Sequence, residues 1–566
     1  MSNEIVTPIA LWRDFDDTLP LKATVLNQSA VNGVMLDEIY FSGRQTKTGR
    51  VRIYGVNFRP QNVEITGSVL ILNDAFSGID KSLAMHFAKN GLNVLSVDLR
   101  GNAAGEQNYT KYPDDVAYAN AKNAGDTFYF CNKGAKETCW YEWVAVAKYA
   151  LKYLKTSENG VPVTVVGVKH GANVLWQLTM TDGEIKGSVY LFGCGWLAYK
   201  GIPKYGDKQI IMNEERYKYL AAVDAQAYAQ YAQNKTLYLT ALNSGEFDVD
   251  RSCDTVLRVP NQEHAFLEFC PNIDEGLSDD LLKTVDEFIN SVNASGKFSF
   301  KKPPQVKLDV HGDEFCAEVT ATAAGNVKNA VCYYAYNAPV PSVRAWLKRD
   351  KFEKTESEKA GNVFKFDLPV YGNVDFICAY VEFEYDDGVK LSSKILCEKT
   401  DVKSPVPCPA VLYGAGGLNA EFIECVGGDK TETFEGFDGA NYREAFASGG
   451  VYETKDTPLN IKGVKISGCS AKTYAVRRLT KKPTESSVIK FDAYLDAAAD
   501  LIITLQTSGG NFDYKISLPS GKAWQNLTLT AGDFKNADLA AYSGEELISL
   551  KFTVKGAVVI NNLLVL

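Results

Sequence analysis

The stretch VTVVGVKHGANVL, residues 163–175, decides how the rest of this 566-residue chain is read. Val163, Thr164, Val165 and Val166 form a β-branched run that suits a buried strand. From Ala172 the apolar spacing turns helical, through Val174, Leu175 and Leu178. Between the two lies Gly167-Val168-Lys169-His170-Gly171, a tight turn. A glycine at each end leaves room for the strand and the helix to approach closely, and the turn presents Lys169 at its tip.

Length and composition narrow the field. The chain is long enough for three or four domains of ordinary size. Hydrophobic residues make up 46% and charged residues 23%, with a formal net charge of −9 and no lysine or arginine cluster. That balance argues against nucleic acid or an anionic membrane as partner, since both demand a concentrated basic face. No apolar run of about 18 residues is present to span a bilayer. The start, MSNEIVTPIALWRDFDD, has neither the basic n-region nor the apolar core of a secretion signal. The expected location is cytoplasmic, or secreted with its signal peptide removed. Twelve cysteines show no CxxC pair and no zinc-finger spacing, so reduced core thiols are expected, with no metal and no cofactor. Cys131 and Cys139, flanking one loop, are the first pair to test for a disulfide.

Around the central stretch the chain alternates strands with helices of 10 to 15 residues, the pattern of βαβ units on a parallel sheet. Residues 1–66 read as a β-rich lead-in, with two runs split by the polar turn 44–49. Residues 67–300 read as the α/β domain. Its strands are Val69–Leu72, the run LNVLSVDLRG, the 163–168 segment, SVYLFGCGW, TLYLTAL and last TVLRVP; NQEHAF is the loop that follows. Helices are expected over 79–89, 137–156, 217–233 and 278–293, the last capped by Ser278. An insertion at 102–136, rich in Tyr, Asn and Asp, is placed to cover the carboxyl ends of the strands, where ligands bind in such sheets. At Lys301-Lys302-Pro303-Pro304 helical spacing stops. Residues 305–400 offer short alternating runs at the spacing of an immunoglobulin-like sandwich. After the proline cluster at 405–409, residues 411–566 are again all β, with glycine-rich turns, and read as a jelly roll.

Several of these features coincide with one known family. Gly167-x-Lys169-x-Gly171 at a strand–helix junction resembles the G-x-S-x-G nucleophile elbow of α/β-hydrolases, with lysine where the family carries serine. NVLSVDLRG with Gly105 is similar to that family's D-x-R-G-x-G strand and loop, and the 137–156 helix precedes the elbow as in acetyl xylan esterase and dienelactone hydrolase relatives. The passages VIKFDAYLDAAADLIITLQ and GKAWQNLTLTAGDFKN resemble carbohydrate-binding sandwiches, with Trp524 as the ligand-facing aromatic. The resemblance implies a multidomain protein in which a mostly parallel sheet, with helices on both faces, is followed by two all-β sandwiches. It also implies ester hydrolysis on acylated polysaccharide or small esters.

The family's triad arrives in the order Ser, acid, His. Lys169 holds the nucleophile position, Ser244 the acid position, with Glu246 and Asp248 as acids two and four residues on, and His264 the base position. Asn73 and Asp74 lie where the family's first oxyanion-hole amide originates, and with His170 they are candidate ligand contacts; His170 is expected to pack toward the helix. A lysine amine is protonated near neutral pH and forms a stable amide with an acyl group, so it does not replace serine. The leading expectation is a degenerate hydrolase that binds a ligand, a glycan among the candidates, without turning it over. The rival is an active esterase with a displaced nucleophile, Cys194 or a hydroxyl such as Ser77, working with His264. A structural module that neither binds glycan nor hydrolyses is the third reading.

Overall fold

The computed structural model describes residues 6–399 apart from 104, 158–159, 206–210, 243, 245, 272–276, 295, 297, 312–315, 337–340, 342–345, 351–352, 358–360 and 370–375. Beyond these it describes 410–411, 423–427, 430–432, 451–454, 456–457, 463–473, 476, 483–521 and 525–565.

After a short helix α1 (Pro8–Trp12), the lead-in supplies three antiparallel strands, β1 (Thr24–Val31), β2 (Val34–Gln45) and β3 (Arg50–Pro60). β4 (Gly67–Leu72) and β5 (Leu92–Val97) flank α2 (Lys81–Lys89), whose N-cap Asp80 accepts the Ser82 and Leu83 amides. Then come α3 (Cys139–Ser157), β6 (Val163–Val168), α4 (His170–Thr181), β7 (Ile185–Leu191), α5 (Glu214–Ala222), β8 (Lys235–Ala241), α6 (Val249–Val256), β9 (Ala265–Cys270) and α7 (Asp279–Asn293). The strands lie in the order β1-β2-β3-β5-β4-β6-β7-β8-β9. β3 pairs antiparallel with β5, and from β5 to β9 every pairing is parallel. The central strands are buried along their whole length, so they read as mostly apolar runs. Residues of α3 and α4 pack into the core on one face, those of α2 and α7 into the core on the other.

Two expectations fail here, for one reason. TVLRVP is not the last strand: Val249–Val256 is helix α6, because the Asp248 carboxylate caps the Asp250 and Arg251 amides and Val249, Cys253 and Val256 fall on one buried face. The last strand is AFLEFC, so NQEHAF leads into it instead of following its end. The 217–233 region also divides, into α5 and two single 3-10 turns. Cys131 and Cys139 are both buried free thiols. A disulfide instead joins Cys378 to Cys397.

The insertion is fastened at several points. The Asp115 carboxylate accepts the Thr46 and Thr48 hydroxyls and the Lys47 amide, which holds it down to about 2 against the cost of its desolvation. The indoles of Trp140 and Trp143 on α3 donate to the carbonyls of Phe128 and Ala119. Asp98, of the DLRG motif, accepts the Gly101 and Thr110 amides. Phe128 is thereby carried over the carboxyl ends of the strands.

The middle β region does not stand alone. Its strands are β10 (Gln305–His311), β11 (Cys316–Ala323), β12 (Asn329–Tyr336), β13 (Leu347–Asp350), β14 (Glu353–Ser357), β15 (Gly361–Pro369), β16 (Phe376–Glu384), β17 (Lys390–Ser392) and β18 (Leu396–Lys399). One layer, β10-β11-β15-β14, is a separate antiparallel sheet. The other, β17-β16-β12-β13, continues the first sheet, because Ser392 on β17 pairs antiparallel with Leu267 on β9. The Ser392 hydroxyl also accepts the Phe269 amide, and Thr284 of α7 accepts the Lys390 amide. Leu281, Val285, Phe288 and Ile289 of α7 share one core with Leu308, Val319, Phe364, Phe383 and Leu391. A fragment ending at residue 300 therefore strips this cover. Exposing even two such side chains costs about 3–6 kcal/mol, a large share of an ordinary domain's stability. We expect the 1–300 fragment to lose cooperative unfolding while 1–400 melts in one transition, as followed by calorimetry; equal melting of the two would exclude the shared core as a determinant.

Farther on, described strands form two six-stranded antiparallel sheets around a third core that includes Phe491, Ile503, Phe534 and Leu550. Among the described residues no helix is long and apolar enough to cross a membrane.

Candidate functional site

The turn between β6 and α4 is built by three close approaches. A Cβ on Gly167 would meet Ala172 Cα at 2.5 Å, one on Gly171 would meet the Leu72 carbonyl oxygen at 2.0 Å, and one on Gly193 would meet the Lys169 carbonyl oxygen at 2.0 Å. Only glycine fits at all three positions. Lys169 is left with φ 52° and ψ −115°, a conformation L-residues avoid, held by its amide donating to Leu191 O at 2.7 Å and its carbonyl accepting from Ala172 at 2.9 Å. The side chain at this position stands at the carboxyl end of β6, at the tip of the bend.

Around that tip an alternating row of charges has assembled. His170 Nδ1 donates to Asp74 Oδ1 at 2.6 Å, and its Nε2 faces Glu246 Oε1 at 3.8 Å. Glu246 pairs with the Lys200 ammonium, which reaches Tyr129 Oη at 3.3 Å. Burial works to lower the His170 pKa, but the Asp74 hydrogen bond and then Glu246 override it, so the imidazole is held above its ordinary value. Burial works to raise Asp74, yet His170, the Phe76 amide and the Lys169 charge bring it below the usual carboxylate range. Glu246, opposed in the same way by burial, is brought down to about 2 by His170 and Lys200. Four rings enclose the imidazole: Phe76, Phe128, Trp140 and Phe247, with centroids 5.1, 5.0, 6.1 and 5.8 Å away. Phe76 is 51% exposed and forms the outer wall.

The sequence-derived candidates separate into two groups. Lys169, His170, Asp74 and Glu246 come together. His170 is packed among aromatic rings, Trp140 of α3 included, and also meets the loop acids. The others do different work. His264 belongs to the turn before β9, with Ala265 in register with Thr236 near the start of β8. Lys169 follows the end of β6, so the two lie at opposite ends of parallel strands, about 17 Å apart along them at five residues of ~3.3 Å and about 14 Å across them at three spacings of ~4.8 Å. There His264 Nδ1 meets Asn261 Nδ2 at 3.1 Å and the ring packs on Phe298. Ser244 Oγ accepts the Glu246 and Phe247 amides at 3.2 Å and shapes the loop. Asp248 caps α6 and accepts the Lys204 amide. Asn73 is spent on the scaffold, donating to Ser96 Oγ and Val97 O and accepting from the Asp80 amide. Ser77 donates to Asp74 at 3.2 Å. Cys194 is fully buried, its thiol pushed up by desolvation and directed at Ser252 O, so the rival pair of Cys194 with His264 does not form. Trp524 lies outside the described residues. The loop after β9, residues 271–278, carries no histidine in its sequence.

Glu246 and Lys200 as partners of the elbow were the residues sequence reasoning gave least weight or missed. The one available signal was the acid two places beyond Ser244.

A mostly parallel sheet with helices on both faces and a strained strand–turn–helix bend at a central strand defines an α/β-hydrolase-like domain, with further β-rich sheets toward the C-terminus. No protein-family model matches the chain, and no curated protein matches it. Among solved structures it is similar to acetyl xylan esterase 1 from Thermoanaerobacterium sp., at 14% identity and a TM-score of 0.36 over 49% of this chain and 90% of that one. It is also similar to an acetyl xylan esterase from Paenibacillus sp. R4 (16%, 0.35, 50% and 91%) and to an acylaminoacyl peptidase from Pyrococcus horikoshii (12%, 0.34, 49% and 51%).

Proposed function

We propose that this chain is a degenerate α/β-hydrolase that binds a ligand without hydrolysing it, and that the ligand is a glycan. One observation carries the first part: the position from which an alkoxide would attack holds Lys169, while the neighbouring imidazole, His170, has both ring nitrogens facing carboxylates, Asp74 at 2.6 Å and Glu246 at 3.8 Å. With both nitrogens turned to carboxylates, that imidazole presents none to a group at position 169, so the arrangement offers neither a serine nucleophile nor a general base aimed at it. Support for a glycan is the half-exposed Phe76 ring against Phe128 and His170, with the Glu246–Lys200–Tyr129 row running on from the same imidazole, an apolar platform joined to charged hydrogen-bonding groups. We further take residues 305–400 as an immunoglobulin-like sandwich and 411–566 as a jelly roll of carbohydrate-binding type.

The test is hydrolysis of a short-chain aryl acetate and of acetylated xylan. The chain, Lys169→Ser and His264→Ala should all give the rate of buffer, because restoring a hydroxyl at 169 supplies no base. Turnover by the unmodified chain that is lost on replacing Glu246 or Lys169 would overturn the reading. A glycan array with Phe76→Ala and Trp524→Ala then separates binding at the cleft from binding at the C-terminal sandwich, and no binding at all refutes the ligand.

A further inference from the structure

After β7 the chain runs through Phe192-Gly193-Cys194-Gly195-Trp196 and a 3-10 turn, Leu197–Tyr199, to reach Lys200 of the charge row. Two aromatic residues on this path take left-handed backbone, Phe192 at φ 58° and Trp196 at φ 65°. Such residues store strain that the surrounding contacts must hold. The loop is pressed onto the segment that follows α5: a Cβ on Gly195 would meet Gln226 N at 2.7 Å. Beside that contact stands Asp224, only 1% exposed. The amides of Trp196, Leu197, Ala198 and Ala225 lie around its carboxyl group, yet among the described residues neither oxygen makes a direct hydrogen bond. The titratable side chains that face it are Tyr219 of α5 and Cys194 of the loop, both kept uncharged by burial. Lys218 of α5 pairs with Glu214 instead, at 2.6 Å. α4 packs on the turn Ala225–Ala227, and its one titratable residue, His170, is held by Asp74. Arg258, beyond α6, lies over the Trp196 ring at 5.0 Å and donates to Gln226 O at 3.3 Å.

We propose that Asp224 is a proton-operated catch on the loop 192–200: while its carboxyl is neutral the loop stays docked, and once it ionises the loop comes away and takes Lys200 off Glu246. A dry site without close donors accommodates the neutral carboxyl and rejects the charged one. Burial is accordingly the largest influence on Asp224 and raises it to about 7, against the pull of the surrounding amides. In water an aspartate gives up its proton near about 3.9. The docked state thus keeps a proton that the released state does not. By linkage, docking is complete on the acid side, and each pH unit from about 4 to 7 weakens it by up to tenfold. Release also relaxes the backbone at Phe192 and Trp196. As control of a ligand this rests on the reading of the cleft as a glycan site; as a motion of the loop it does not.

Hydrogen exchange of the full chain, followed by mass spectrometry and corrected for the intrinsic effect of pH, tests the catch without any ligand. The amides of Tyr199, Lys200 and Ile202 donate to Trp196 O, Leu197 O and Tyr199 O. Their peptides should lose protection at least tenfold between about pH 5 and pH 8.5, while those of β6 stay protected. Asp224→Asn, neutral at every pH, should abolish that difference. At pH 8.5 trypsin should cut this variant after Lys200 at least tenfold more slowly than the unmodified chain. Equal protection of the unmodified chain at both pH values overturns the proposal. So does a loss in step with β6, which marks global unfolding, or a difference that persists in Asp224→Asn. If the loop responds as expected and the glycan array is blank at both pH values, the catch stands and the glycan reading of the cleft falls.

Discussion

Gly171→Ala should cost about 3 kcal/mol or more, the upper range for forcing extra atoms into a packed site. The added Cβ would lie 2.0 Å from Leu72 O and 2.7 Å from Asn73 O. Both are backbone atoms of the segment that ends β4, so no rotamer change relieves the clash; α4 and β4 must separate. The same substitution at Gly183, where nothing lies within 4 Å, is the control and should change little. Urea midpoints decide it. Two variants of equal stability would mean that the close approach of α4 to β4 is not needed.

His170→Leu is the second large effect, about 3–5 kcal/mol, because removing one member of a buried charge row leaves the others uncompensated. Its dependence on pH is more telling than its size. The folded pKa of His170 is raised, so its contribution is complete below the ordinary 6.5 and fades as pH rises through the folded value. Asp74 and Glu246 are lowered, so theirs is complete above 3.8 and 4.5 and fades as pH falls, for Glu246 toward about 2. The gap between the unmodified chain and the variant should thus be widest between about pH 4.5 and 6.5 and narrow on the alkaline side. Denaturation at pH 5.5 and pH 9 measures it, and an equal gap at both values would refute a charged imidazole.

The elbow was legible in sequence because its causes are local. Gly167 and Gly171 stand between a β-branched run and a helical spacing within 13 residues, and Ser278 caps α7 as its residue type suggests. The end of the sheet was harder. Val256, Leu257 and Val259 look like strand residues, but Asp248 starts a helix ahead of them. Glu268, placed in the middle of AFLEFC, disguises a strand buried on both faces. That single slip moved His264 from the foot of the sheet to its top. The clamp on His170 was out of reach, since Asp74 is 96 residues distant in the chain and no local pattern links them. Nor does alternation along β16 and β17 tell which neighbouring edge they join; only packing against α7 decides it.

The seam between Leu267 and Ser392 has a mechanical consequence. The path from β1 to β13 crosses 13 strands without a break, about 60 Å at ~4.8 Å per step. A sheet is stiff along its hydrogen-bonded direction and twists steadily in one sense. A pull on the β12–β13 end therefore reaches β9 through the Ser392–Leu267 pair and the core shared with α7, as well as along the chain that links them.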